Sequence, residues 1–88
     1  MLNQASIKEE QNNTVVIHRI YKHYSGKLYK VLAIGHGSED LQQYVVYQGL
    51  YNDPKFGDQP IWIRPLQMFT ETIMLEGKQV PRFMLMPQ

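Results

Sequence analysis

The chain contains no cysteine. That single absence removes disulfide scaffolds, thiolate zinc sites, iron–sulfur clusters and thiol nucleophiles. Net charge is also nearly missing, at +1 over 88 residues, which excludes a protein that coats nucleic acid by bulk charge alone. Charged residues make up 19% of the chain and apolar ones 43%, too little charge and too much hydrophobicity for a disordered tail. No apolar run approaches the ~18 residues of a membrane-spanning helix. Met1-Leu2-Asn3-Gln4 has neither the basic nor the apolar region of a secretory signal. The expectation is a soluble cytoplasmic protein without a membrane partner. A chain this short holds one core and buries about 60–65% of its unfolded surface, leaving little room for a deep catalytic cleft.

Familiar catalytic patterns are missing as well. There is no phosphate loop and no dinucleotide glycine pattern, since Gly35-His36-Gly37 is not followed by a helix start. No histidine pair stands at helical metal spacing. His36 and Glu39 offer two ligands where a stable site needs three or four, so no metal and no cofactor are assigned. Ser25 and Ser38 lack the strand–turn–helix elbow of a serine hydrolase.

What is present is unevenly distributed. Arg19, Lys22, Lys27 and Lys30 stand between Thr14 and Ser38 with no acid among them. From Glu39 to Asp58 the order reverses, with Glu39, Asp40, Asp53 and Asp58 against Lys55 alone. His18, His23 and His36 fall in or at the end of the basic half and add charge below about pH 6.5. Two readings fit: solvated faces that attract each other, or an anion-binding face beside an acidic loop.

The period of the apolar residues reads mainly as strands. Residues 1–13 are polar and amide-rich and read as a flexible or weakly helical tail, with residues 14–88 as one small domain. The β-branched run from Thr14 to Ile17 continues to Tyr24 and meets a turn at Ser25-Gly26. Lys27 to His36 alternates, with Leu28, Lys30, Leu32 and Ile34 on one face and Lys27, Tyr29, Val31 and Ala33 on the other. Gln43 to Tyr51 is a second strong strand, and Asn52 to Asp58 reads as a connecting loop. Ile61 to Arg64 is a short strand ended by Pro65, and residues 65–69 form one helical or 3₁₀ turn. Thr70 to Leu75 and Gln79 to Met86 read as a hairpin about Glu76-Gly77-Lys78, with Pro81 marking an edge or bulge. Five or six short strands predict a mainly all-β fold: a small antiparallel barrel or a strongly bent sheet, SH3-like in size.

Aromatic residues carry the strongest hint of function. Six are tyrosines, and Tyr21-Lys22-His23-Tyr24 and Lys27-Leu28-Tyr29-Lys30 interleave rings with cations. That pattern suits stacking plus phosphate contact, though tyrosines also simply shield a sheet. Strand alternation puts Trp62 and Arg64 on one face, where Arg64 either clamps an anion with its planar fork or pairs with a loop carboxylate such as Glu39. Met68-Phe69 and Phe83-Met84 read as core.

Five blocks in order resemble a known family. They are His23-Tyr24-Ser25-Gly26-Lys27-Leu28-Tyr29-Lys30-Val31, His36 with Ser38-Glu39, Val45 to Tyr51, Trp62-Ile63-Arg64-Pro65 with Met68-Phe69, and Gly77 with Arg82-Phe83. Over about residues 20–84 the series resembles the bacterial domain-of-unknown-function family 1653, with Ser25 where the family has Lys. Gly37 and Asp40 also depart from its His-Ser-Glu-Thr block. The resemblance implies a small, mostly β, cytosolic bacterial domain and supplies no reaction. Its polar set maps to His23, Lys27, His36, Glu39, Arg64 and Arg82. Packing fixes chiefly apolar positions, so this many specified polar residues favours a binding surface.

The reading that results is a small binding module rather than an enzyme. Tyr29, His36, Trp62 and Arg64, with His23, Lys27 and Arg82, would form an aromatic and cationic face for an anionic group of a peptide, nucleotide or RNA. The rival is an enzyme or accessory subunit using His36 and Glu39 as a proton-transfer pair. A third reading is a homodimer, without ligand, formed by edge pairing of the Pro81 hairpin.

Overall fold

A computed structural model describes residues 15–88. The expected tail over residues 1–13, and Thr14, lie outside the described residues. Chain order is β1 (Ile20–His23), β2 (Leu28–His36), β3 (Gln43–Gly49), β4 (Asn52–Asp53), β5 (Gly57–Asp58), β6 (Ile61–Pro65), α1 (Leu66–Phe69), β7 (Thr72–Leu75), β8 (Lys78–Pro81) and β9 (Phe83–Leu85). The fold is mainly β, and the helical turn expected at 65–69 is present as α1, starting directly after Pro65.

The barrel is not formed. Five strands make one open antiparallel sheet in the order β6-β3-β2-β1-β9, while β4–β5 and β7–β8 are separate two-stranded hairpins. Closure would need β6 and β9 to bond each other. Between them in sequence lie α1 and the β7–β8 ladder, and among the described residues neither edge gains a further strand. The run expected as one strand from Gln79 to Met86 divides in the same way. Lys78–Pro81 pairs with β7, and after Arg82 the chain crosses to pair Phe83 with His23 of β1.

Two further expectations change. Val15-Val16-Ile17 is not strand: Ile17 and His18 form a turn, with His18 in the left-handed region at φ 71°. Val15 is nonetheless buried in the core, because the Val16 N–H donates to the Tyr21 hydroxyl at 2.9 Å and holds the segment down. The Asn52–Asp58 loop contains the small β4–β5 ladder. Its turn is organised by the Asp53 carboxylate, which accepts from the Lys55 and Phe56 N–H groups at 2.8 and 2.9 Å.

The core lies on one face of the open sheet. Tyr21, Tyr29, Val31, Val45, Tyr47 and Phe83 point there, with Phe69 delivered by α1. Phe69 and Phe83 stack with ring centroids 4.1 Å apart and planes 3° from parallel. Strict alternation along β2 fails at Leu32. Val31 faces Tyr47 while Ala33 faces the adjacent Val46, so one extra residue bulges out. The bulge reverses the parity beyond it, and Ile34 rather than Ala33 turns to the core.

Candidate functional site

The buried core meets the half-buried rings of Tyr51 and Trp62 around Tyr29. Its cross-strand partner is Gly49, and a Cβ there would lie 2.5 Å from the Tyr51 ring. The missing side chain lets Tyr51 fold back over β3. The Tyr51 hydroxyl accepts the Trp62 indole N–H at 3.0 Å and shares a hydrogen bond with the Tyr29 hydroxyl at 3.2 Å. Phe56 packs edge-on against Trp62 at 5.2 Å. Burial first, then the bond to Tyr51, pushes the Tyr29 hydroxyl well above the ordinary tyrosine range, so it stays protonated.

Cations surround this aromatic pair. Arg64 sits across from Val45, two residues from Trp62 on the same strand face. Its Nε–H donates to the Tyr47 hydroxyl at 3.1 Å, and its guanidinium carbon lies 5.6 Å from the Phe83 ring centroid. Lys27 Nζ stands 4.5 Å over the Tyr51 ring. His23 faces Phe83 edge-on at 4.9 Å. The Ser25 N–H donates to His23 Nδ1 at 3.2 Å, so the neutral ring carries its proton on Nε2. Burial lowers the His23 pKa, and the positive charges of Arg64 and Arg82 lower it further. Arg82 is held by Glu71 at 2.7 Å, while its Nε is buried with no partner among the described residues.

Two sequence-derived site residues lie elsewhere. His36 and Glu39 are at the far end of β2, where they line a hollow of about 390 Å³ with Tyr44, Val46 and Ile63. No hydrogen bond joins the two; Glu39 Oε1 accepts instead from the Ser38 hydroxyl at 3.2 Å. Gly37 and Asp40 have a local purpose. The Asp40 carboxylate accepts from the Gln42 N–H and the Tyr44 hydroxyl, the first contact lowering its pKa most. A Cβ on Gly37 would lie 2.5 Å from that carboxylate. The structure therefore brings together Tyr29, Trp62, Arg64, His23, Lys27 and Arg82, and leaves His36 and Glu39 apart.

Tyr47, Tyr51, Gly49 and Phe83 join the cluster without having been singled out for it. Their signal was the Tyr47-x-Gly49-x-Tyr51 spacing, because a glycine inside a strand marks close approach of another group. Among the described residues no three His, Asp or Glu side chains gather as metal ligands. No helix among the described residues is long and apolar enough to cross a membrane.

The profile of the family described as protein of unknown function (DUF1653) matches residues 19–85. The chain belongs to the DUF1653 family. A solved crystal structure of a DUF1653 protein from Bordetella bronchiseptica is similar to it, at 29% identity and a TM-score of 0.68, covering 78% of this chain and 85% of that one. No curated protein matches. The DUF1653 match contains the whole cluster from His23 to Arg82 and the His36–Glu39 end as well.

Proposed function

We propose that the chain is a small binding domain whose aromatic and cationic face takes a carboxylate or phosphate group of its ligand. The observation that carries this reading is the state of Arg64. Its Nε is occupied by Tyr47, yet among the described residues no carboxylate pairs with it; the single ion pair is Arg82 with Glu71. The Glu39 partner considered from sequence is bonded to Ser38 instead. A guanidinium held in place by one bond at Nε, with no Nη hydrogen bond among the described residues, has the geometry for bidentate contact with a planar or tetrahedral anion.

The neighbours add donors of the same sense. Tyr47 accepts from Arg64, so its own O–H proton is free to donate, and Tyr29 and Tyr51 share one bond between two hydroxyl protons. His23 Nε2–H and Lys27 Nζ complete the set. Asp53, whose carboxylate serves its own turn, and Glu71, tied to Arg82, are the acids closest to this cluster in the interactions described. A ligand rich in acceptors suits such a face, and a flat ring beside the anion would stack on Trp62 or Tyr51.

Titration of the 88-residue chain by calorimetry or amide NMR, with nucleotides, short RNA and carboxylate-bearing peptides in separate arms, tests the reading. Arg64→Ala removes a charge-assisted contact worth about 1.5–3 kcal/mol, a loss of roughly tenfold to over a hundredfold in affinity. Absence of binding in every arm, or binding by Arg64→Ala equal to wild type, defeats it.

A further inference from the structure

The face of the sheet opposite the core carries a second, independent feature. Register places Met84, Lys22 and Leu28 in one row across it, then Ile20, Lys30, Gln48 and Ile61, then Ala33, Val46 and Ile63. Large apolar side chains are left in solvent there: Ile63 is 66% exposed, Ile61 51%, Met84 50% and Leu28 40%. An apolar strip of this kind on a sheet marks an interaction surface more often than a solvated face. Lys22 and Lys30 lie toward one end of the strip. At the other end Glu39 and Asp40 rim the hollow floored by Tyr44, Val46 and Ile63.

We propose that this face docks a second copy of the chain across a two-fold axis that lies in the interface and runs across the strands. Such an axis reverses the strand direction between copies while keeping β6 over β6. Ile63 and Val46 then meet their own counterparts at the centre. Lys22 and Leu28 of each copy fall at the acidic hollow of the other. The alternative axis, along the strands, would set Lys22 and Lys30 against lysines and Glu39 and Asp40 against acids. Like charges so juxtaposed oppose association, so charge selects the first arrangement. An isologous pair of this kind needs one self-complementary patch, and the patch here is complementary end to end.

The size of the face sets the strength. Five strands about 4.8 Å apart give a face about 20 Å wide, the scale of a weak or transient contact. A weak dimer, forming as concentration rises, is the expected species. The aromatic cluster points to the other side of the sheet, so failure of the dimer and failure of the anion site are separate results.

Sedimentation equilibrium of the full chain over a concentration series at low salt tests the proposal. Wild type is expected to dimerise, and Ile63→Lys to weaken the dimer about tenfold or more. Because Ile63 is exposed, the variant keeps its fold, which a thermal melt verifies. Lys22→Glu and Glu39→Lys are each expected to weaken association, and the two together to restore most of it, since the exchanged charges face each other again. Three outcomes overturn the proposal: a monomer at every concentration, a dimer indifferent to Ile63→Lys, or a double variant as weak as the two single losses combined. A dimer that ignores Ile63→Lys but dissociates in Gln79→Pro would instead be built by the edge of the β7–β8 hairpin.

Discussion

Tyr51 does two jobs through one oxygen. It accepts from the Trp62 indole and bonds the Tyr29 hydroxyl, so Tyr51→Phe strips two part-buried groups of their partner at once. The expected cost is about 1–3 kcal/mol, visible as a lower urea midpoint; an unchanged midpoint would show that water replaces the hydroxyl without loss. Tyr47→Phe is the sharper probe of binding. It keeps the ring that packs on Phe69 and Phe83 and removes only the acceptor that orients Arg64. Affinity for a phosphate or carboxylate ligand is expected to fall with little change in melting temperature. His23 adds a pH dependence. Its folded pKa lies below the ordinary 6.5, so the unfolded chain takes up the proton first. Its contribution to stability is whole above about pH 6.5 and declines as pH falls below that value toward the folded pKa. A bound anion favours the protonated ring, so anion affinity should rise between pH 7 and pH 5, with the His23 pKa moving upward in NMR titrations. A downward movement on adding ligand would count against the site.

At the scale of elements, turns are held by backbone conformations that few residues tolerate. Glu76 and Gly77 sit consecutively in the left-handed region, at φ 51° and 81°, the pairing that matches the twist of a tight hairpin. Gly77 takes this conformation without strain, whereas Glu76 does not. Glu76→Asn is therefore expected to stabilise the fold by up to about 1 kcal/mol and Gly77→Ala to destabilise it by about the same. Chemical denaturation of the two variants checks the pair, and a loss of stability in Glu76→Asn would contradict the argument. This turn was legible from Glu76-Gly77-Lys78, as was α1 from Pro65, because both depend on residues with special local geometry. The Leu32 bulge was not. Nothing local distinguishes Leu28-Tyr29-Lys30-Val31-Leu32-Ala33-Ile34 from a regular strand, and the extra residue exists because Tyr47 and Val46 claim Val31 and Ala33 as neighbours.

The whole molecule rests on a small aromatic core that doubles as the floor of its candidate site. Val31, Val45 and Phe69 are its most completely buried side chains, and Phe69 touches Tyr21, Tyr47 and Phe83. Phe69→Ala leaves a cavity under α1 and costs about 3–5 kcal/mol. A domain of this size has about 5–10 kcal/mol in total, so the variant is expected to lose most of its cooperative thermal transition. A melt as sharp and as high as wild type would mean that α1 is not a keystone of the core.

The composition and order of residues were sufficient for the coarse outcome. Alternation of β-branched and aromatic residues, and the prolines and glycines between them, determine a mainly β domain, because those properties act within a few residues of chain. Trp62 and Arg64 share a face for the same reason. Which cations meet which rings is a different matter. Lys27 over Tyr51, Arg64 against Tyr47 and Phe83, and His23 beside both arginines join segments up to 59 residues apart, and only the pairing order β6-β3-β2-β1-β9 sets those meetings. The same order left the sheet open, so the barrel of the two expected forms is not made, and it drew Arg82 into the cluster while leaving His36 and Glu39 at the far end. Local preference chooses strands; long-range pairing chooses their neighbours, and the candidate site is made of neighbours.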